Sequence, residues 1–233
     1  MIDLTKYRVI DLSPEIIPGE RKTDGRYLHG EPYLGRPVEV EEFIAYGARM
    51  HFIHGQTHTG THVEAPYKYS ETGPDVGSML VDSYMGEAVA CDFSAKKASE
   101  PSTSHDLRRA GVKGGDIVLA WGDPANLPNR PHFAVEAIDW LIGIKIKALA
   151  QENLRLSPPD TPYGPGDADC KLLMAGIPID ARTSRLPFRL RPTNRAAEPF
   201  RRSFLCHFSS PISTLTTIIA RGTSCSGKSC RRR

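Results

Sequence analysis

Hydrophobic and polar positions along the chain change period several times. Tyr7-Arg-Val-Ile-Asp-Leu-Ser sets β-branched and aromatic residues at short range and predicts an opening strand. Pro14, Pro18, Gly19, Gly25 and Gly30 then predict a loop-rich stretch. Val38–Tyr46 alternates as a half-buried strand does, and Arg49–His54 predicts a third strand. The compact apolar run Gly86–Phe93 predicts a buried strand, and Asp116–Trp121 and the short Ala148–Ala150 also read as strands. Apolar residues at 134, 135, 138, 141 and 142 follow the spacing of an amphipathic helix. Thr103 and Ser104 are cap-like residues before a short helix ended by Gly111, and Lys171-Leu-Leu-Met-Ala closes another at Gly176. The pattern predicts a mixed α/β body without internal repeats.

Composition narrows the class. A chain of 233 residues, 39% hydrophobic and 24% charged, is long enough for one buried core and too apolar for wholesale disorder. No run of 18 apolar residues exists, which excludes a transmembrane helix and a membrane partner of that kind. The opening MIDLTKYRVIDLSPEI lacks the apolar stretch of a signal peptide, so the cytoplasm is the expected compartment. Five cysteines, none spaced C-x-x-C, predict reduced thiols rather than a disulfide framework.

Charge is distributed unevenly. The net charge of +3 combines 18 basic and 26 acidic residues in 1–180 with 12 basic residues and a single acid, Glu198, in 181–233. A −8 body is thus joined to a +11 tail rich in Arg, Ser, Thr and Pro, which is expected to be poorly ordered. The tail reads either as an altered, frameshifted C-terminus on an enzyme body or as a basic arm for nucleic acid or anionic surfaces. The first is favoured, and nucleic acid disfavoured as a partner, because no aromatic interleaving or binding module accompanies the charge.

The chemistry concentrates in His51-Phe-Ile-His-Gly-Gln-Thr-His-Thr-Gly-Thr-His-Val-Glu, which holds four of the eight histidines within 12 positions. His58, His62 and Glu64 form a two-histidine, one-carboxylate set suited to zinc or manganese, with coordination positions left for water. On a regular strand His58 and His62 would stand roughly 13 Å apart, too far to share an ion about 2 Å from each. A helix would bring them together, but Thr59, Gly60, Thr61 and Val63 are poor helix formers and Pro66 would end it. A sharp bend at Gly60 remains, with His62 and Glu64 then sharing a face as i and i+2. The plainer alternative is a set of surface or hydrogen-bonding histidines.

His58-Thr-Gly-Thr-His-Val-Glu-Ala-Pro-Tyr-Lys resembles the H-x-G-T-H-x-D-x-P-x-H signature of the cyclase family, which includes bacterial kynurenine formamidases and isatin hydrolases. Val9-Ile-Asp-Leu-Ser, Gly114-Gly-Asp-Ile-Val-Leu and Leu172-Leu-Met-Ala-Gly-Ile-Pro-Ile resemble family segments in the same order, so the likeness covers about residues 7–180. It implies a single α/β domain with the mixed-sheet, swivelling β/β/α fold, residues 1–180 being the metallohydrolase domain and 181–233 the foreign tail. It also implies that His58 and His62 bind metal, with Glu64 in place of a ligating Asp. The signature's last histidine, which handles protons, is Lys68 here. An ordinary Lys, with pKa about 10.4, is a poor base but can stabilise an oxyanion as an ammonium. Family members with two metals draw on a later His and Glu. Cys170 falls at that His position as a possible thiolate ligand, and the Glu would fall at or just after Asp180, where Ala181 follows.

The implied activity is hydrolysis of a small-molecule amide, lactam or ester by metal-activated water, arylformamidase-like or isatin-hydrolase-like. Lys68, His54 or His51 are the candidates to manage protons. Tyr67, Tyr69, Trp121 and Trp140 are candidates to line an aromatic pocket. Tryptophan catabolism and a homodimer or higher oligomer are further implications of the family. The alternative is a protein that has lost catalysis through Lys68 and its replaced end, and persists as a metal-binding or basic-tail interaction protein.

Overall fold

The computed structural model describes residues 7–13, 38–55, 57–58, 60–126 and 129–181, with only the backbone for 7–11, 181, 201–202, 204–207 and 217–221. The expected loop after Pro14 and most of the basic stretch after position 181 lie outside the described residues.

A six-stranded mixed sheet organises the molecule. Its centre is parallel and built from β5 (Ala88–Asp92), β7 (Ile117–Trp121), β9 (Ala148–Glu152) and β10 (Ile179–Ala181). Antiparallel strands close both sides, β4 (His62–Glu64) on β10 and β11 (Arg201–Arg202) on β5. Parallel neighbours need crossovers, and helices supply them. Helix α1 (Ser104–Arg109) lies between β5 and β7, α2 (Val135–Gly143) between β7 and β9, and α3 (Ala168–Met174) between β9 and β10.

Side chains of the central strands are buried on both faces, which is why they read as continuous apolar runs rather than alternating ones. Val89, Cys91, Val118, Ala120 and Leu149 share one core with helical Leu107, Ile138, Leu141, Leu172 and Leu173. On the opposite face Ala88, Ile117, Leu119 and Ala150 pack with Leu12, Val63 and Tyr84. Leu12 follows β1 (Tyr7–Asp11), which pairs with β13 (Thr217–Arg221), itself paired with β12 (Phe204–His207). Three short strands thus lie within the stretch that composition sets apart.

The remaining pairings are small: a parallel pair of β6 (Pro101–Ser102) with β8 (His132–Phe133), and a hairpin of β2 (Glu39–Ala45) with β3 (Ala48–His54). The hairpin corrects one expectation. Its alternation predicts a half-buried strand, whereas Val40, Ile44, Phe52 and Ile53 are exposed. Val40, Ile44 and Ile53 lie on one face and Phe52 on the other, so no described element covers either face completely. Among the described residues no helix is long and apolar enough to cross a membrane.

Candidate metal centre

The site begins at a bend. Gly60 adopts φ +62, in the left-handed region that a residue without Cβ enters at little steric cost. The chain turns there before β4 begins at His62, as the spacing of the two histidines requires. On β4, His62 and Glu64 share a face as i and i+2, while Val63 enters the opposite core. Pairing with β10 sets His62 opposite Ala181 and Glu64 opposite Ile179, whose side chain belongs to the helix-side core.

The bend folds His58 back onto its partners. His58 Nδ1 lies 2.9 Å from His62 Nε2 and 3.0 Å from Glu64 Oε1, and His62 Nε2 lies 3.5 Å from the same oxygen. Ligands about 2.1 Å from one tetrahedral ion sit about 3.4 Å from one another, so this triangle is the right size for a single ion. His58, His62 and Glu64 form the group with metal-ligand geometry found among the described residues. His62 Nδ1 is 2.9 Å from the Gly60 carbonyl. Donation to that oxygen fixes the ring plane, as outer hydrogen bonds orient a ligating imidazole. The bend residue therefore also positions the ring.

Lys68 completes the cluster. After Ala65, a single 3₁₀ turn over Pro66–Lys68 reverses the chain, with Pro at its first position, where a missing N–H costs nothing. The turn carries Lys68 Nζ to 2.8 Å from both Oε1 and Oε2 of Glu64. Burial by itself would raise the Glu64 carboxyl, but hydrogen bonds from His58 and His62 and the Lys68 ammonium outweigh it. They hold Glu64 well below the ordinary carboxylate range. The methylene that Glu64 adds relative to an aspartate is accommodated without breaking the triangle.

Other residues singled out from sequence are not gathered here. Cys170 is buried on α3 and is not part of the three-donor group. His54 ends β3 with its ring beside Phe52, and His51 faces Glu42 at 3.5 Å. Trp121 is in the sheet core and Trp140 packs under Arg108, so neither joins an aromatic lining with Tyr67 and Tyr69. Tyr69 does adjoin the site, its ring centroid 5.3 Å from Lys68 Nζ.

Two further acids also stand in the site's electric field. Asp169, in the first turn of α3, is pushed up to about 7 by burial, with Glu64 and Asp167 adding to the shift and Lys68 opposing it. Asp180, opposite Val63 on β10, is 1% exposed, and among the described residues neither of its carboxylate oxygens has a hydrogen-bond partner. Burial and then the Glu64 charge drive it well above its usual range. The folding of α3 and β10 brings both acids within reach of the Glu64 charge; Asp180 stands where the resemblance placed a family Glu, whereas no motif pointed to Asp169.

A family model described as Cyclase matches residues 10–157, which include the bend, β4 and the 3₁₀ turn. The chain belongs to the cyclase family. Within that family it is 31% identical over 110 residues to a kynurenine formamidase of Erythrobacter litoralis, a match covering 45% of this chain and 49% of that protein. The chain thus matches about half the length of this relative. Isatin hydrolase A of Labrenzia aggregata superposes with a TM-score of 0.69 at 20% identity, covering 93% of this chain and 94% of that one. A protein described as a potential metal-dependent hydrolase with cyclase activity gives a TM-score of 0.63 at 16% identity, over 94% of this chain and 100% of that one. At such identities the structural matches establish the fold: a cyclase-family single domain with a mixed sheet.

Proposed function

We propose that this cyclase-family protein is a metal-dependent hydrolase of a small-molecule amide, lactam or ester, resembling kynurenine formamidase or isatin hydrolase in its reaction. The observation that carries the reading is the His58–His62–Glu64 triangle, sized for one divalent ion and oriented by the Gly60 carbonyl. A zinc or manganese ion held there would supply Lewis acidity, lowering the pKa of water toward about 7 and polarising a carbonyl.

The chain's own residues divide the remaining work. Glu64 stays ionised because its hydrogen-bonded surroundings favour the charged form, so it offers anionic oxygen at neutral pH. Lys68 presents an ammonium beside the ligands, placed to donate to an oxygen that gains charge as the carbonyl is attacked. That role suits a cation better than proton abstraction does. His54 is left as a proton-handling residue only if the β2–β3 hairpin moves toward the site. A homodimer or higher oligomer is part of the reading, supported by exposed Ile44, Phe52 and Ile53 on that hairpin. A cytoplasmic setting is part of it too.

The test combines elemental analysis with assays on N-formylkynurenine and isatin, with and without chelator. One zinc or manganese per chain and chelator-sensitive turnover are expected, with His62→Ala losing both. Bound metal without turnover of either compound favours the alternative of a metal-binding protein that has lost catalysis. A chain that takes up no metal overturns the reading.

A further inference from the structure

We propose that Lys68 is a built-in competitor for the metal, an internal cation that satisfies Glu64 in the metal-free chain and must release it when an ion binds. The inference rests on the reading that His58, His62 and Glu64 hold that ion, and it goes beyond it by naming what sets the affinity.

Three observations carry it. Nζ of Lys68 lies at 2.8 Å from both Glu64 oxygens, so the ammonium shares with the two histidines the oxygen, Oε1, that completes their triangle, and holds Oε2 as well. The Glu64 side chain is only 6% exposed, and a carboxylate so enclosed requires a compensating charge; among the contacts described, the cationic one is Lys68. Unlike the enclosed carboxylate, the Lys68 side chain is 34% exposed and rests 5.3 Å from the Tyr69 ring centroid. The ammonium therefore has somewhere to go when displaced, toward water or the ring face.

Charge then decides the direction of the effect. Two neutral imidazoles and one carboxylate bring a divalent ion to a net +1, and a neighbouring ammonium adds a like charge that opposes binding. Removing that charge tightens the site; keeping it on a different side chain does not. A displaced Lys68 remains next to the ligands as a hydrogen-bond donor, so competition for metal and stabilisation of an oxyanion are two positions of one flexible side chain.

The experiment measures metal affinity rather than turnover. The full chain, stripped with chelator, is titrated with Mn²⁺ and with Zn²⁺ against a chromophoric chelator, beside Lys68→Met, Lys68→Arg and His62→Ala. Lys68→Met is expected to bind about 10–100-fold more tightly than the parent, the scale on which groups touching metal ligands alter affinity. Lys68→Arg, which keeps the charge, should stay near the parent, and His62→Ala should lose binding. If the methionine variant does not fold, Lys68→Gln retains a donor to Glu64 without the charge and should tighten binding likewise. Parent and neutral variants binding equally, or the neutral variants binding more weakly, overturns the competitor role and leaves the metal centre intact. No binding by the parent or by any neutral variant overturns the metal centre and the proposal with it.

Discussion

Gly60 shows how one residue can set the separation of two others. Its φ of +62 is what lets His58 fold back to 2.9 Å from His62. Any residue with a Cβ pays about 1–2 kcal/mol to hold that conformation. Gly60→Ala should therefore lower thermal stability modestly and weaken metal uptake more steeply, because relaxing the bend separates the ligands. Calorimetric melting and a metal titration on the same variant check this, and unchanged metal affinity would show that the bend is not what gathers the ligands. The need for this bend was legible in the sequence: a four-residue spacing, poor helix formers and a glycine between the histidines leave little else. The hold of Lys68 on Glu64 was not. Nothing in the motif specifies that Pro66–Lys68 forms a tight 3₁₀ turn, and an extended path there would carry the ammonium away.

Elements differ in how much of their structure is local. Helix α1 is nearly all local: Thr103 Oγ1 accepts from the Asp106 N–H, and the Asp106 carboxylate accepts from the Thr103 N–H, closing a capping box. Thr103→Ala should cost about 1 kcal/mol in urea or thermal unfolding without affecting metal binding. The cap-like Thr and Ser signalled this start, and Gly176, at φ +76 just past α3, marks the end its position suggests. Ile117–Trp121 was legible as a strand because burial on both faces leaves an uninterrupted apolar run. The β2–β3 hairpin was legible as strands but not in its exposure. Alternation states which residues share a face and is silent about what covers that face. The three residues of β4 lack the length for a periodic signal, and pairing with β10 alone makes them a strand.

Across the whole molecule, buried Glu64 and Asp180 and half-buried Asp169 impose opposing pH dependences. Asp169 and Asp180 have raised folded pKa values, so the folded chain binds protons that the unfolded chain releases, and stability falls as pH rises from the ordinary Asp range near 3.8; for Asp169 this loss runs up to about 7. Glu64 is depressed, and its contribution is present above the ordinary Glu value of 4.5 and lost as pH falls through its folded value. Asp180→Asn should gain on the parent progressively as pH rises, by about 1–3 kcal/mol at pH 8, read from melting curves between pH 5 and 8. A constant difference across that range would show that Asp180 does not carry the effect. The division of the chain at Ala181 is tested at the same scale. Deleting 182–233 removes β11 and β13, the partners of β5 and β1, and should lower the melting midpoint by about 2–4 °C for each kcal/mol lost. An unchanged midpoint would support residues 1–180 as an independent domain. By itself the sequence determined strands β1, β5, β7 and β9, the three helices, the charge division, and the candidate donors His58, His62 and Glu64 with the bend they demand, since each depends on neighbours a few positions apart. Only the tertiary structure decided that Lys68 grips Glu64, that Asp169 and Asp180 share its field, and that β4 closes the edge of the sheet. Those contacts join side chains through turns and strand pairings whose geometry depends on the packed whole.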